Sequence, residues 1–271
     1  MMYRRLFIYR LVLWNIDLTL VDVARVSRDA YADAFRRVTG RPLVALPQMA
    51  GKSDSEIFFE SLALNEASAD TAGAAGDAAA DAARDVGPAG DPGAANLELL
   101  GRYTAQLAAA FEVRHKLLAS RGRALPGAVA AVTAVAGLPG VVQSVLTGTI
   151  RPNAAVKLAV FGLSRYIDVD IGGYGSEIYP MGAQLLRIRG RAAEKYGTTF
   201  DAHNTVYLAD SSRDVVAAGI GGARCIGVAS GRATAGELRD AGADVVLTDL
   251  ADTAVVVGAI DRLTSSVTAP G

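Results

Sequence analysis

The sequence predicts an α/β protein with a mostly parallel sheet, and two observations support this fold class. Short apolar runs, each about as long as one strand, alternate along the chain with segments of helical periodicity. A run that is apolar almost throughout is typical of a strand with both faces covered, as in a parallel sheet. The predicted strands are Leu11–Ile16, Val141–Leu146, Thr205–Leu208, Cys225–Val228 and Asp244–Leu247. The predicted helices between them are Ala128–Val135, Asn153–Phe161, Ala183–Tyr196, Ser212–Ala218 and Ala233–Ala241.

The segment between the first two predicted strands has helical periodicity and no convincing strand. The stretches DAYADAFRRV and NLELLGRYTAQLAAAFEVRHKLL have the pattern of amphipathic helices. We therefore expect a core made of residues 1–23 and 121–271, with a helical cap inserted at 24–120. Residues 67–95 are rich in Ala, Asp and Gly and hold few large apolar side chains to offset the entropy of ordering. They predict a flexible insertion, with an Ala-rich helix as the alternative.

Composition limits the classes of function. A chain of 271 residues with net charge −1 can bury one sizeable core and a smaller unit, and it lacks the basic excess of a nucleic-acid-binding protein. No apolar run approaches the roughly 20 residues of a membrane span, so we expect neither nucleic acid nor membrane as a partner. The basic start leads directly into a strand without a signal-peptide cleavage site, and Cys225 is the single cysteine. These features predict a cytoplasmic protein, either a monomer or a homodimer.

Polar residues follow three of the predicted strands where each strand ends. The carboxyl ends of parallel strands lie at one edge of an open sheet, which is where such sheets bind their ligands. The residues are Asn15, Asp17 and Thr19 after the first strand, Thr147, Gly148 and Thr149 after the second, and Asp210, Ser211 and Asp214 after Thr205–Leu208. Lys157 follows on the helix after the second strand.

Three carboxylates crowded at one edge predict a bound cation. Without a counter-charge they repel one another and their pKa values rise. Mg²⁺ prefers oxygen ligands and binds through one or two carboxylates together with a substrate phosphate. The metal, Lys157 and the Thr147 hydroxyl would together hold a phosphoryl group. The edge therefore predicts a site for Mg²⁺ and a small phosphorylated metabolite.

The order of these motifs resembles the haloacid dehalogenase (HAD) superfamily, and most closely its phosphoglycolate phosphatase-like branch with a helical cap. The family pattern is a strand and Asp-x-Asp-x-Thr, a strand and Ser or Thr, a Lys, then a strand and Asp-x-x-x-Asp. The matching positions are Asp17, Thr19, Thr147, Asp210 and Asp214. The stretch AAGIGGARCIGVASGRATAGELRDAGADVVLTDLADT is also similar to that branch. The likeness extends over nearly the whole chain and implies a Rossmann-like HAD core.

The resemblance implies a Mg²⁺-dependent phosphatase that hydrolyses a small phosphate monoester in two steps. The residue at position 15 would attack phosphorus and form an aspartyl-phosphate, and Asp17 would protonate the leaving group and then activate water. The backbone carbonyl of Asp17 would also bind the metal. The expected metal-binding residues are Asn15, Asp17, Asp210 and Asp214, and the expected substrate-binding residues are Thr147, Gly148, Lys157 and Lys52.

The chain departs from the family pattern at the nucleophile. Position 15 is Asn, whose amide oxygen can ligate Mg²⁺ but is a poor nucleophile. Asn15 is either an engineered change that traps substrate or a native residue that makes the protein slow or non-catalytic. The motif Lys is assigned to Lys157, with Arg187 as the alternative, because the loop 172–180 has no Lys. Lys52 lies in a cap turn similar to one that touches substrate in relatives.

Two other functions remain open from the sequence. A dehalogenase uses a carboxylate to attack carbon without a metal, and the three carboxylates favour metal-using chemistry over it. A non-catalytic module that binds a phosphometabolite or a protein would keep the fold and lose the nucleophile, as Asn15 suggests. Activity of the native protein beside its Asn15→Asp variant would separate enzyme from binding module.

Overall fold

The computed structural model describes residues 9–73, 92–176 and 180–264, and its centre is a sheet of five parallel strands. The spatial order is β4-β1-β5-β6-β7. The strands are β1 (Arg10–Trp14), β4 (Val141–Val145), β5 (Thr205–Ala209), β6 (Arg224–Val228) and β7 (Val245–Leu247). Every strand predicted for the sheet is present, with ends that differ by at most two residues. The predicted α/β fold class is confirmed.

Helices cover both faces of this sheet and build the inserted segment. They are α1 (Ala24–Thr39), α2 (Asp54–Gly73), α3 (Pro92–Glu112), α4 (His115–Arg121), α5 (Ala128–Ala136), α6 (Arg151–Val160), α7 (Met181–Tyr196), α8 (Ser212–Ile220), α9 (Ala235–Asp240) and α10 (Thr253–Thr264). A 3₁₀ turn spans Ser164–Tyr166. No helix within the described ranges is both long enough and apolar enough to span a lipid bilayer.

The side chains of β1 alternate between two buried clusters, as the period of a strand requires. Val12 and Trp14 pack with α5, α6 and α10, whereas Leu11 and Leu13 pack with α7, α8 and α9. All four side chains are buried, which explains why the strand is apolar in sequence. The Trp14 indole N–H donates to Gln143 Oε1 at 2.9 Å, so its one polar group is satisfied inside the core.

The position of β1 decides where a ligand can bind. β1 pairs with β4 on one side and with β5 on the other, so the strand order reverses at β1. The loops after β1, β4 and β5 therefore meet at the carboxyl edge of the sheet, at the switch point typical of ligand sites in open α/β sheets. A further bridge joins Leu146 to Gly173 beyond β4.

Helices α1 to α4 pack on one another above this edge. Phe58 stacks on Tyr103 with ring centroids 4.0 Å apart, and Phe35 meets Phe58 edge-on at 6.4 Å. A short antiparallel ribbon of β2 (Val21–Asp22) and β3 (Arg123–Ala124) joins the two ends of this helical segment. The division into a core and a cap at residues 24 and 120 stays a prediction, and the ribbon lies next to both proposed boundaries.

The predicted insertion at 67–95 lies only partly within the described residues. Helix α2 continues to Gly73 and α3 begins at Pro92, so both ends of this stretch are helical. The helical alternative therefore holds at these ends, and residues 74–91 lie outside the described ranges.

Candidate functional site

One cleft holds all the residues that the sequence analysis assigned to the site. It lies between the carboxyl edge of the sheet and the cap helices, with a cavity volume of about 100 Å³. Its walls include Asn15, Asp17, Lys52, Thr147, Gly148, Lys157, Asp210 and Asp214. Arg187, the alternative to Lys157, lies on α7 and is not among the lining residues. The chain therefore brings these groups together as expected, although the role of each stays a prediction.

Asn15 holds a single amide orientation that its neighbours define. Its Oδ1 accepts the backbone N–H of Ile16 at 2.8 Å. Its Nδ2 donates to Asp210 Oδ1 at 3.0 Å and to the carbonyl oxygen of Asp17 at 3.3 Å. Rotating the amide by half a turn would place Nδ2 against the Ile16 N–H, two donors facing each other. The Ile16 amide thus fixes which end of Asn15 enters the cleft.

Asp17 is held by a cation and a hydroxyl. Lys157 Nζ lies 2.6 and 2.9 Å from its two carboxylate oxygens, and Thr149 Oγ1 donates to Oδ2 at 2.7 Å. Lys157 also donates to Thr149 Oγ1 at 2.9 Å and lies 5.2 Å from the ring centroid of Phe111. The Lys157 side chain is only 2% exposed, whereas that of Asp17 is 39% exposed. The ammonium group is therefore buried, and the carboxylate it binds can still meet a ligand.

Asp210 and Asp214 are buried carboxylates with different partners. Asp210 Oδ1 accepts from Thr19 Oγ1 at 2.9 Å as well as from Asn15, and burial followed by the charge of Asp214 raises its pKa to about 7. Asp214 accepts from Ser211 Oγ at 2.5 Å and from the Tyr207 hydroxyl at 3.2 Å. Burial also raises the pKa of Asp214, against the lowering effect of these two hydrogen bonds. Two buried carboxylates with raised pKa values favour the binding of a proton or of a nearby cation.

The loop after β4 is in close contact with the cap. Asp54 N donates to the carbonyl oxygen of Gly148 at 2.7 Å. A Cβ atom at Gly148 would lie 2.1 Å from the carbonyl oxygen of Lys52, so this approach requires glycine. The ammonium group of Lys52 forms an ion pair with Glu60 while the residue lines the cleft. The cap turn therefore closes over the predicted phosphate loop.

Asp54 is a functional candidate that the sequence analysis did not assign to the site. The residue is 2% exposed, and its carboxylate accepts from the Tyr31 hydroxyl and from the Ile150 N–H at 2.8 Å. Burial raises its pKa to about 6, although Lys157 and both hydrogen bonds lower it. Asp54 joins the first turn of α2 to the start of α6. In sequence it has only the pattern of an acidic residue in the first turn of a helix.

The side chains of the native chain do not fit Mg²⁺ as they stand. Asp210 and the Asp17 carbonyl converge as oxygen ligands would, but the group between them is the N–H₂ of Asn15, a donor. Both carboxylate oxygens of Asp214 already accept hydrogen bonds. Across the described ranges, no three His, Cys, Asp or Glu side chains are grouped to hold a metal. Binding of Mg²⁺ through the Asn15 oxygen stays a prediction, and it would require that oxygen to leave the Ile16 N–H.

Comparison with known proteins agrees with the motif order. A family model described as HAD-hydrolase-like matches residues 187–253, which include Asp210 and Asp214. No curated protein matches the chain.

Solved structures match nearly the whole chain at low identity. A hydrolase from Pseudomonas syringae is 20% identical with a TM-score of 0.59, covering 95% of this chain and 99% of its own. A predicted phosphoglycolate phosphatase from Haemophilus somnus is 16% identical with a TM-score of 0.58, covering 93% and 99%. A haloacid dehalogenase-like family hydrolase from Streptococcus pneumoniae is 12% identical with a TM-score of 0.56, covering 93% and 98%.

The parallel sheet with its cleft at the carboxyl edge is therefore similar in fold to HAD-like proteins. The resemblance predicted from the motifs is confirmed, by sequence over residues 187–253 and by fold over nearly the whole chain.

Proposed function

We propose that the cleft is the phosphate-ester site of a phosphatase-type hydrolase, and that hydrolysis depends on the residue at position 15. The observation that carries this proposal is the convergence of Asn15, Asp17, Lys157 and Asp210 in one cleft, with only the nucleophile changed in chemical type. The ligand is a small phosphorylated metabolite. A cavity of about 100 Å³ under a closed cap suits a compact ester better than a nucleotide.

Lys157 and the loop after β4 supply the groups that would hold the phosphoryl group. Lys157 is a buried cation whose Asp17 partner is partly exposed, so an incoming phosphate can share its ammonium group. The Thr147 hydroxyl and the backbone around Gly148 lie beside it at the start of α6. A helix N-terminus adds favourable partial charge for an anion.

With a carboxylate at position 15, the same cleft would support hydrolysis through an acyl-phosphate. The carboxylate oxygen attacks phosphorus and the bond to the ester oxygen breaks, while Asp17 donates its proton to the leaving alkoxide. Asp17 then removes a proton from water, which attacks phosphorus and releases inorganic phosphate and the free carboxylate. The Mg²⁺ that the resemblance implies is proposed for this Asn15→Asp form, in which an oxygen replaces the amide donor.

The native chain has a second candidate function, favoured directly by Asn15. A neutral amide leaves the ester bound and intact, so the native protein would be a slow enzyme or a module that binds a phosphometabolite. The dehalogenase alternative is not supported by Asn15, because it also requires a carboxylate nucleophile at this position. The cytoplasmic location, and the monomeric or homodimeric state, stay predictions.

Comparison of the native chain with Asn15→Asp tests the proposal. The variant should hydrolyse at least one small phosphate monoester in the presence of Mg²⁺, faster than the native chain by several orders of magnitude, the usual effect of a nucleophile. Release of inorganic phosphate across a panel of sugar, acid and nucleotide phosphates gives the measurement, with 2-haloacids in parallel. The double variant Asn15→Asp, Asp17→Asn is the matched control and should stay inactive. A folded Asn15→Asp protein that hydrolyses nothing across the panel would show that the proposal is wrong.

A further inference from the structure

The Asn15 amide occupies the point where two oxygen acceptors of the cleft, a carboxylate and a backbone carbonyl, converge. Its Nδ2 bridges Asp210 Oδ1 and the Asp17 carbonyl at 3.0 and 3.3 Å. Asn15 is 8% exposed and Asp210 is 3% exposed, so water competes little for these bonds. A buried carboxylate without a partner would be costly, and here the amide supplies part of what it needs.

This bridging is also what a metal ion would do at the same place. A hard cation gathers a carboxylate and a carbonyl oxygen that would otherwise repel each other. The N–H₂ group gathers the same two atoms through its two hydrogens. An N–H₂ group also repels a cation, since its hydrogens carry positive partial charge.

The Asn15 amide cannot turn its oxygen toward the cleft without losing a hydrogen bond. Oδ1 is engaged with the Ile16 N–H at 2.8 Å, inside the turn that follows β1. Turning Oδ1 inward would leave that buried N–H without an acceptor and set Nδ2, a second donor, against it. Only a carboxylate satisfies both requirements, because one oxygen can accept from Ile16 while the other ligates a metal.

We propose that the amide of Asn15 takes the place of the metal ion, so that the native chain binds its phosphate-bearing ligand without Mg²⁺. This inference rests on the proposed function for the identity of the ligand. Lys157, at 2.6 Å from Asp17, is then the positive group that meets the phosphate. The native cleft is a metal-independent phosphate site, and Asn15→Asp changes it into a metal-dependent one.

A comparison of Mg²⁺ binding by three proteins tests this inference. The native chain, Asn15→Ala and Asn15→Asp are titrated with Mg²⁺ alone, by isothermal calorimetry and by thermal unfolding. Mg²⁺ should leave the native melting temperature unchanged and raise that of Asn15→Asp, because a ligand specific for the folded state stabilises it. Asn15→Ala removes the N–H₂ donor without adding an oxygen, so it should bind Mg²⁺ more tightly than the native chain does. If the native chain binds Mg²⁺ more tightly than Asn15→Ala, the amide oxygen is a ligand and the inference is wrong.

Binding of inorganic phosphate gives a second measurement, which remains decisive if Asn15→Ala does not fold. Phosphate affinity of the native chain should be the same in excess EDTA and in millimolar Mg²⁺, whereas that of Asn15→Asp should increase with Mg²⁺. A native affinity that requires Mg²⁺, or the absence of phosphate binding, overturns the inference. This failure is separable from failure of the proposed function, which is decided by hydrolysis in Asn15→Asp alone.

Discussion

Lys157 is the buried positive charge that balances the Asp17 carboxylate in the cleft. It is almost fully buried in α6, contacts both oxygens of Asp17 and lies 5.2 Å from the ring centroid of Phe111. Removing one partner of a buried ion pair leaves the other charge uncompensated, which costs more than losing a surface pair. Asp17 is partly exposed, so water can solvate it if Lys157 is lost. The larger penalty therefore falls on Lys157 when Asp17 is changed.

A double-mutant cycle measures this coupling. Lys157→Met and Asp17→Asn should each lower the free energy of unfolding, and the double variant should lose less than the sum. We expect a coupling of about 1–3 kcal/mol for two charged groups in direct contact. Urea unfolding of the four proteins gives the value. Lys195→Met serves as the control, because Lys195 forms its ion pair with Asp168 at the surface. Strict additivity at residues 17 and 157 would contradict the geometry.

The spacing of the motifs was enough to predict which side chains meet in the cleft, but not how they are bonded. Three loops at the ends of adjacent parallel strands converge whatever their detailed conformation, so Asp17, Thr147 and Asp210 could be placed from sequence. The orientation of Asn15 could not, because it depends on the Ile16 N–H in the turn after β1. Asp54 was missed for a similar reason, since its partners lie on α1 and at the start of α6.

At the scale of elements, three loops close the cleft by approaching one another at glycine positions. Gly51 has φ +66°, and a Cβ atom there would lie 2.5 Å from Ser211 Oγ. At Gly175 a Cβ atom would lie 1.6 Å from the carbonyl oxygen of Gly148, and at Gly148 it would lie 2.1 Å from that of Lys52. The absence of side chains at these positions lets the cap turn lie directly on the loop after β4.

Substituting Gly148 should therefore open the contact between cap and core. Gly148→Ala forces the Lys52 carbonyl to move, and we expect a loss of about 1–3 kcal/mol in the free energy of unfolding, as for other overpacked sites. Binding of inorganic phosphate should weaken as well, because Gly148 lines the cleft. Gly190→Ala is the matched control. Gly190 lies inside α7, and among the described residues no atom outside its own stretch of helix backbone lies within 4 Å of an added Cβ, so the free energy of unfolding should rise by about 0.5–1 kcal/mol. Chemical unfolding of both variants checks the difference, and equal effects would contradict a close approach at Gly148.

The elements that the sequence predicted well are those whose pattern is determined by burial alone. Most residues of β1, β4, β5 and β6 are buried, so each of these strands is a short and mainly apolar run. The ribbon of β2 and β3 was not predicted, because two residues on each side give no alternation. Helix α10 was missed because Val255–Val257 favours a strand by propensity. Its buried residues Val256, Ala259 and Ile260 recur at the spacing of a helix.

At the scale of the whole molecule, the cleft places several acidic groups at the junction of cap and sheet. Burial is the largest cause of the raised pKa values of Asp54, Asp210 and Asp214. A raised pKa means that the folded protein holds a proton that the unfolded chain releases. These groups therefore make the stability of the whole protein depend on pH, through the same junction that encloses the ligand.

Asp54 allows a test of this pH dependence, because the direction in which it changes the free energy of unfolding can be predicted. Its pKa in the folded protein is about 6, against an ordinary value of 3.8. Between these values the folded state binds more protons than the unfolded state, so the free energy of unfolding falls as pH rises through this window. Asp54→Asn keeps a side chain that can form hydrogen bonds with the Ile150 N–H and with Tyr31 but cannot ionise. It should therefore flatten the decline in the free energy of unfolding between pH 4 and pH 7.

Tyr31→Phe removes a hydrogen bond that lowers the pKa of Asp54, so it should extend the decline in the free energy of unfolding to higher pH. Unfolding by urea at a series of pH values measures the native chain and both variants. Parallel profiles for the native chain and Asp54→Asn would mean that folding does not raise the pKa of Asp54, and would contradict its role as a buried acid between cap and sheet.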